Sequence, residues 1–148
     1  NVLSAFVTFS LALKAAQTQE VGIITPYHAQ SRLLHAMVRD VNELEALPHA
    51  IKCATVHQFQ GSEEDVIVYD AVDCYRLPFP GALIASTAGR YADRLFNVAM
   101  TRSKGKFICV ANGSFMRNKG MSENLMFMQM LKKLSRDSSH DSGNNSPE

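Results

Sequence analysis

The side chains best placed to do chemistry lie in one stretch, Arg94-Leu95-Phe96-Asn97-Val98-Ala99-Met100-Thr101-Arg102-Ser103-Lys104. Helical spacing puts Leu95, Val98, Ala99 and Arg102 on one stripe, with Arg94, Asn97 and Thr101 on a polar stripe beside it. An arginine therefore ends an apolar stripe. A guanidinium buried there needs an anionic partner. One that snorkels to water from the helix end needs none. Spacing alone favours the second.

Two further stretches carry polar groups at the breaks between elements. Thr55-Val56-His57-Gln58-Phe59-Gln60-Gly61-Ser62-Glu63-Glu64-Asp65-Val66-Ile67-Val68 is a β-type run that breaks at Gln60-Gly61 and passes through acids into a second β-type run. Val21-Gly22-Ile23-Ile24-Thr25-Pro26-Tyr27-His28-Ala29-Gln30-Ser31-Arg32 is a short apolar run ended by proline. Together the three stretches resemble the late motifs of superfamily 1 helicases, in the order those motifs take along a chain. TPYxAQ looks like motif IV, FQGxExD like motif V and RLxNVAxTRxK like motif VI. The similarity runs from about Val2 to Leu134. It is greatest to the AAA-type branch that holds the nonsense-mediated-decay helicase and its Dna-two-like relatives.

The resemblance implies a RecA-like domain, the C-terminal motor lobe of an ATP-dependent helicase or translocase. Arg102 then becomes the motif VI arginine finger. Arg32, from motif IV, is the second arginine aimed at the γ-phosphate charge. Gln60, Gly61 and Glu63 become nucleotide contacts of this lobe, with Arg32 and Arg102. Thr25, Pro26, Tyr27, Thr55, His57 and Arg94 become candidates for the single-strand track, where hydroxyls, backbone N–H groups and basic side chains follow phosphates. Asn97 is expected to order motif VI by hydrogen bonds. His28 stands where many relatives carry a basic residue. Each of these has a plainer reading: Arg32 as a solvated arginine beside Arg39, Gly61 as a turn glycine, Tyr27 as a packed, hydrogen-bonded edge tyrosine. Glu64 and Asp65 read as turn solvation.

No phosphate cradle of the form GxxxxGK[ST] occurs in the chain, so the backbone nest and lysine that would hold a triphosphate are absent. Asp70, at the end of Val66-Ile67-Val68-Tyr69-Asp70, reads as a strand-terminal aspartate. The chain alone is expected to be inactive. ATP and Mg2+ would be held mainly by an N-terminal RecA-like lobe of the same parent protein, and the other partner would be single-stranded DNA or RNA. The alternative is a nucleic-acid-binding or protein-interaction module that keeps the helicase-lobe fold without motor work. A hydrolase built on His28, His57 and Asp70 lacks any nucleophile elbow.

The elements that position these residues follow from patterning. The 148 residues suit one domain, and 46% hydrophobic with 20% charged is a globular composition with net charge +1. That balance carries no basic field of the kind a free-standing nucleic-acid module shows. Cys53, Cys74 and Cys109 form an odd, widely spaced set, which fits a reducing, intracellular compartment, cytoplasmic or nuclear. His49, Cys53 and His57 have helical metal-ligand spacing but fall on a strand, so no metal site is expected. No run reaches membrane-spanning length, and the apolar Leu3–Ala16 stretch lacks the basic flank of a leader.

Periodicity predicts a helix over 3–18 with Phe6, Phe9, Leu13 and Ala16 inward, and a buried strand over Val21–Thr25. A helix follows with Leu33, Met37, Val41 and Leu44 inward and Arg32, Arg39 and Glu43 outward. Strands are expected over Lys52–His57, Val66–Val72 and Lys106–Ala111. Between them come a long loop over 73–91 and a helix over Asp93–Ser103. A last helix begins near Ser122, with Phe127, Met130, Leu131 and Leu134 inward. The fold class is α/β, a parallel sheet with helices on both faces. Residues 1–134 form the domain, which reads as an N-terminally truncated fragment. Residues 135–148, rich in Ser, Asn and Asp, read as a disordered tail or linker.

Overall fold

The computed structural model describes residues 1–44, 47–59, 61–75 and 77–140, with side chains placed through residue 133. Four parallel strands form one sheet in the order β2-β1-β3-β4. They are β1 (Val21–Thr25), β2 (Ile51–Thr55), β3 (Glu64–Asp70) and β4 (Ser103–Val110). The register pairs Val21 with Ile51 and with Val66, and Val68 with Ile108. Strand alternation sends Val21, Ile23, Val66 and Val68 to one face and Ile24, Ile67 and Tyr69 to the other, so each face nucleates its own core.

The first face is covered by α1 (Val2–Ala15) and α2 (His28–Glu43). α1 buries Ala5, Thr8, Ala12 and the following Ala16, while Phe6 is 59% exposed and Phe9 and Leu13 are only half-buried. The expected face is thus rotated. Small side chains let the helix backbone close on the sheet, and the larger apolar residues, which dominated the periodicity, stay at the rim. α2 likewise buries Leu34 and Val38 with Gln30 and Ser31, and exposes Leu33 and Leu44. Its inward stripe contains polar residues with partners inside, which a hydrophobicity pattern assigns outward.

The second face is covered by α4 (Tyr91–Met100), α5 (Gly113–Asn118) and α6 (Met126–His140), with the short α3 (Ala82–Ala85). Phe96 lies edge-on to Tyr69, Phe107 and Phe127, with ring centroids 5.2–5.8 Å apart. α5 was not expected. Asn112 caps it by accepting from the Phe115 N–H at 2.9 Å. α6 starts four residues beyond Ser122, where Asp93 of α4 accepts from the Met126 N–H at 2.8 Å. The helix reaches His140, so the tail expected from 135 is helical there, and 141–148 lie outside the described residues. The loop expected over 73–91 contains α3 and a 3-10 turn at Ala88–Arg90.

The β2–β3 connection, residues 56–63, crosses β1 without a helix. Phe59 packs against β1 at Gly22. A Cβ built on Gly22 would collide with the Phe59 ring and come within 2.8 Å of Ile67 Cδ1. Glycine is required there for close approach. At the free edge of β2, the Asn42 carboxamide pairs with both the N–H and C=O of Ile51 (3.1 and 2.9 Å), and Gln58 Oε1 accepts from the Thr55 N–H at 3.2 Å. Two side-chain amides thus blunt an edge that would otherwise template another strand.

Candidate functional site

The predicted residues fall into three groups. The first lies at the C-terminal edge of the sheet. Thr25 ends β1 and is buried, with Pro26 and Tyr27 half-buried after it. Thr55 ends β2 and its hydroxyl donates to Gln58 Oε1 at 3.0 Å. His57 is exposed, its Nε2 3.3 Å from the Tyr91 hydroxyl at the start of α4, and Arg94 is exposed one turn along that helix. These are the strand-track candidates, and the fold brings them to one edge, where open parallel sheets take ligands.

Tyr27 is committed within this group. Its hydroxyl donates to Asp73 Oδ2 at 3.0 Å, and the same oxygen accepts from the Gly81 N–H at 2.6 Å. A Cβ on Gly81 would strike the phenol oxygen. The packed edge-tyrosine reading therefore holds, and the bond ties motif IV to the 73–91 segment. Asp70 has a similar role. It is fully buried and accepts from Gln30 Nε2 at 2.7 Å, Ser4 Oγ at 3.2 Å and the Val72 N–H at 3.0 Å. It pins α1 and α2 to the end of β3. Val72 beside it takes φ +68, an uncommon conformation for a β-branched residue.

Burial raises both carboxyls above the usual aspartate range, against the pull of the donors just named. The folded state therefore holds these protons more tightly than the unfolded chain. The stability so contributed is full below about pH 4 and is lost as pH rises through the raised folded values. Asp73→Asn keeps an oxygen for both donors and removes one of these titrations. Its denaturant midpoint should decline less than wild type between about pH 4 and about pH 7. An unchanged slope would contradict this assignment.

The second group lies at the opposite edge. Gly61 has φ +86 and is open to solvent, Glu63 is exposed, and Arg102 follows the Thr101 cap of α4. Gly61 follows the break of a β-type run, yet it lies near the start of β3 and not at the C-terminal edge of the sheet. The Glu64 N–H donates to the Arg102 carbonyl at 3.0 Å, which sets motifs V and VI side by side. Arg102 is half-buried. Its Nε is buried without an acceptor among the described residues, and its Nη2 is 3.4 Å from the Thr101 hydroxyl. It lies beyond the helix, not on its stripe, so it belongs to the β3–β4 junction. Gln60 lies outside the described residues. Asn97 is exposed.

Arg32 belongs to a third group. It is exposed on α2 and lines a cleft of about 470 Å3 with His28, Ser31, His35, Arg39, Cys53 and Gln58. Gly61, Glu63 and Arg102 are not part of that lining, so the chain by itself does not join Arg32 to Arg102. The His49–Cys53–His57 spacing does not converge: Cys53 Sγ faces the Ser31 carbonyl and His57 faces Tyr91. Burial pushes the Cys53 thiol up to about 12, keeping it protonated. Among the described residues no three His, Cys, Asp or Glu side chains gather as metal ligands.

Glu64 was misread as turn solvation. It is 2% exposed in the first position of β3 and accepts from Lys52 Nζ at 2.7 Å. Asp65 is also in the strand and accepts from the Glu20 N–H at 3.2 Å. The sequence signal was that neither Gly nor Pro stands between Glu63 and the apolar run.

The chain matches the AAA domain family over residues 3–114. It is 29% identical over 120 residues to a putative regulator of nonsense transcripts 1 from Takifugu rubripes, covering 81% of this chain and 10% of that protein. It is 34% identical over 92 residues to the DNA polymerase alpha-associated DNA helicase A of Saccharomyces cerevisiae, covering 62% of this chain and 12% of that protein. The regulator of nonsense transcripts 1 homolog of Drosophila melanogaster is 34% identical over 102 residues, 68% of this chain and 8% of that protein. The chain thus spans about a tenth of the length of these curated relatives. With its four parallel strands covered by helices on both faces, it belongs to the AAA domain family of superfamily 1 helicases and has their RecA-like fold.

Proposed function

We propose that this chain is the C-terminal motor lobe of an ATP-dependent superfamily 1 helicase, completing a nucleotide site whose cradle lies on the N-terminal lobe of the same parent protein. The observation that carries the reading is the Arg102 guanidinium. Its Nε is desolvated without an acceptor among the described residues. A lost hydrogen bond of that kind costs about 1–3 kcal/mol, and an anionic phosphate brought by lobe closure would satisfy it. The residues therefore fit ATP: Arg102, Gly61 and Glu63 would face it from one edge, with Arg32 reaching it from α2 and Gln60 a further contact by resemblance to motif V. Bound ATP supplies the transferring phosphoryl group, and this lobe supplies charge stabilisation at fixed positions.

On the same reading, Thr25, Pro26, Tyr27, Thr55, His57 and Arg94 carry single-stranded DNA or RNA at the C-terminal edge. With Tyr27 held by Asp73 and Thr55 by Gln58, the exposed His57 and Arg94 are the groups placed to meet phosphates. Closure and reopening of the lobes would ratchet the strand, in a parent protein that works inside the cell. The test is hydrolysis by the full-length parent with and without single-stranded nucleic acid. Strand-stimulated hydrolysis supports the motor reading. Strand binding with no hydrolysis overturns it and leaves a binding module.

A further inference from the structure

Lys52 stands on β2 and Glu64 on β3, on either side of β1, yet their side chains meet at 2.7 Å. The β1 residue in register with Lys52 is Gly22, and the Phe59 ring of the crossover is seated on it. These residues bracket the whole crossover: Lys52 lies just before residues 56–63 and Glu64 just after them. The segment between them carries Gly61 and Glu63. The Glu64 backbone N–H, in turn, holds the Arg102 carbonyl at 3.0 Å. Lys52 is therefore linked to the Arg102 backbone through one buried carboxylate residue.

Glu64 is 2% exposed, whereas the Lys52 side chain is 60% exposed. A carboxylate so buried persists only while its cation is present. Without Lys52 it would turn toward water and carry the first residue of β3 with it. Its backbone bond to Arg102 would shift, along with the Gly61–Glu63 turn. The bond to Glu64 is also the main reason the Lys52 ammonium holds its proton more tightly than usual.

We propose that Lys52 and Glu64 are positioning residues for ATP hydrolysis: their ion pair clamps the ends of the motif V crossover and so sets where Arg102 lies. Neither side chain touches the nucleotide. The proposal rests on the motor reading above. A group that stabilises transition-state charge is sensitive to displacements near 1 Å, which cost about a hundredfold in rate. The clamp acts on kcat, because substrate binding depends mainly on the other lobe.

The test uses the full-length parent protein with saturating single strand, comparing Lys52→Glu, Glu64→Lys, the double exchange, Lys52→Arg and Lys52→Gln. Rates are normalised to the fraction that binds nucleotide. Each charge reversal, and Lys52→Gln, should lower kcat about tenfold or more while the KM for ATP stays within about twofold. Lys52→Arg and the double exchange should return kcat to within about threefold of wild type. Normalised kcat unchanged in Lys52→Gln, or no rescue by the exchange, overturns the clamp. If the reversals fail to fold, Lys52→Gln against Lys52→Arg decides it, since both change only an exposed side chain. An Arg102→Ala control separates the two ideas. If that control hydrolyses normally, the assignment of Arg102 as the finger, on which the clamp rests, has failed. If it is inactive while Lys52→Gln is normal, the clamp alone has failed.

Discussion

Replacing Gly22 by valine is expected to lower stability by about 3 kcal/mol, the upper part of the overpacking range. The expected loss in melting temperature is about 10 °C. The site is closed on one side by the Phe59 ring and on the other by Ile67 Cδ1. Neither can retreat, since Phe59 is 3% exposed and Ile67 is fully buried. The crossover would lift from β1, and Phe59 with it. The check is calorimetry of Gly22→Val, Phe59→Leu and the double variant. The smaller ring-site residue should relieve part of the valine penalty, giving a coupling of about 1 kcal/mol or more. Strict additivity would show that Phe59 does not seat on Gly22.

The crossover explains why part of the site was legible and part was not. β1 was read at its observed limits because five apolar or small residues end at a proline. Thr25 was placed at a strand end for the same local reason, and Thr55 and His57 because a β-type run breaks at Gln60-Gly61. Nothing local says that residues 56–63 must run under β1 to the far edge. That is fixed by Phe59 against Gly22, a contact between residues 37 positions apart. Glu64 was missed because its partner, Lys52, lies across another strand.

The helix faces failed for a related reason. α1 seats alanines and a threonine against the sheet, and α2 seats Gln30, which spans Asp70 and the N-terminal residue Asn1. Periodicity weights large apolar residues, whereas close packing and buried hydrogen bonds select small and polar ones. Arg102 is the instructive middle case. Its spacing on the Leu95–Ala99 stripe suggested an arginine snorkelling from a helix end. The helix stops at Met100, and the residue sits at a strand junction with a desolvated nitrogen. The resemblance supplied its role as an expectation, and the geometry supplies a physical reason for an anion to come to it.

Arg102→Ala carries the second large effect. If Arg102 acts on the γ-phosphate charge as proposed, its removal should cut strand-stimulated hydrolysis by about a hundredfold or more, on the order of 3 kcal/mol of transition-state stabilisation. Arg102→Lys should recover little of it, because an ammonium cannot reproduce the planar fork of donors. On the proposed reading nucleotide affinity should change far less, since the cradle would belong to the other lobe. The stability of the chain should change little, because the Nε makes no hydrogen bond among the described residues and the Nη2 only the long one to Thr101.

Single-turnover hydrolysis by the full-length parent, saturated with ATP and single strand, is the most direct measurement, with wild type against Arg102→Ala. The account predicts bound nucleotide and a rate lower by about a hundredfold or more. A rate within about threefold of wild type, with nucleotide bound, would contradict it.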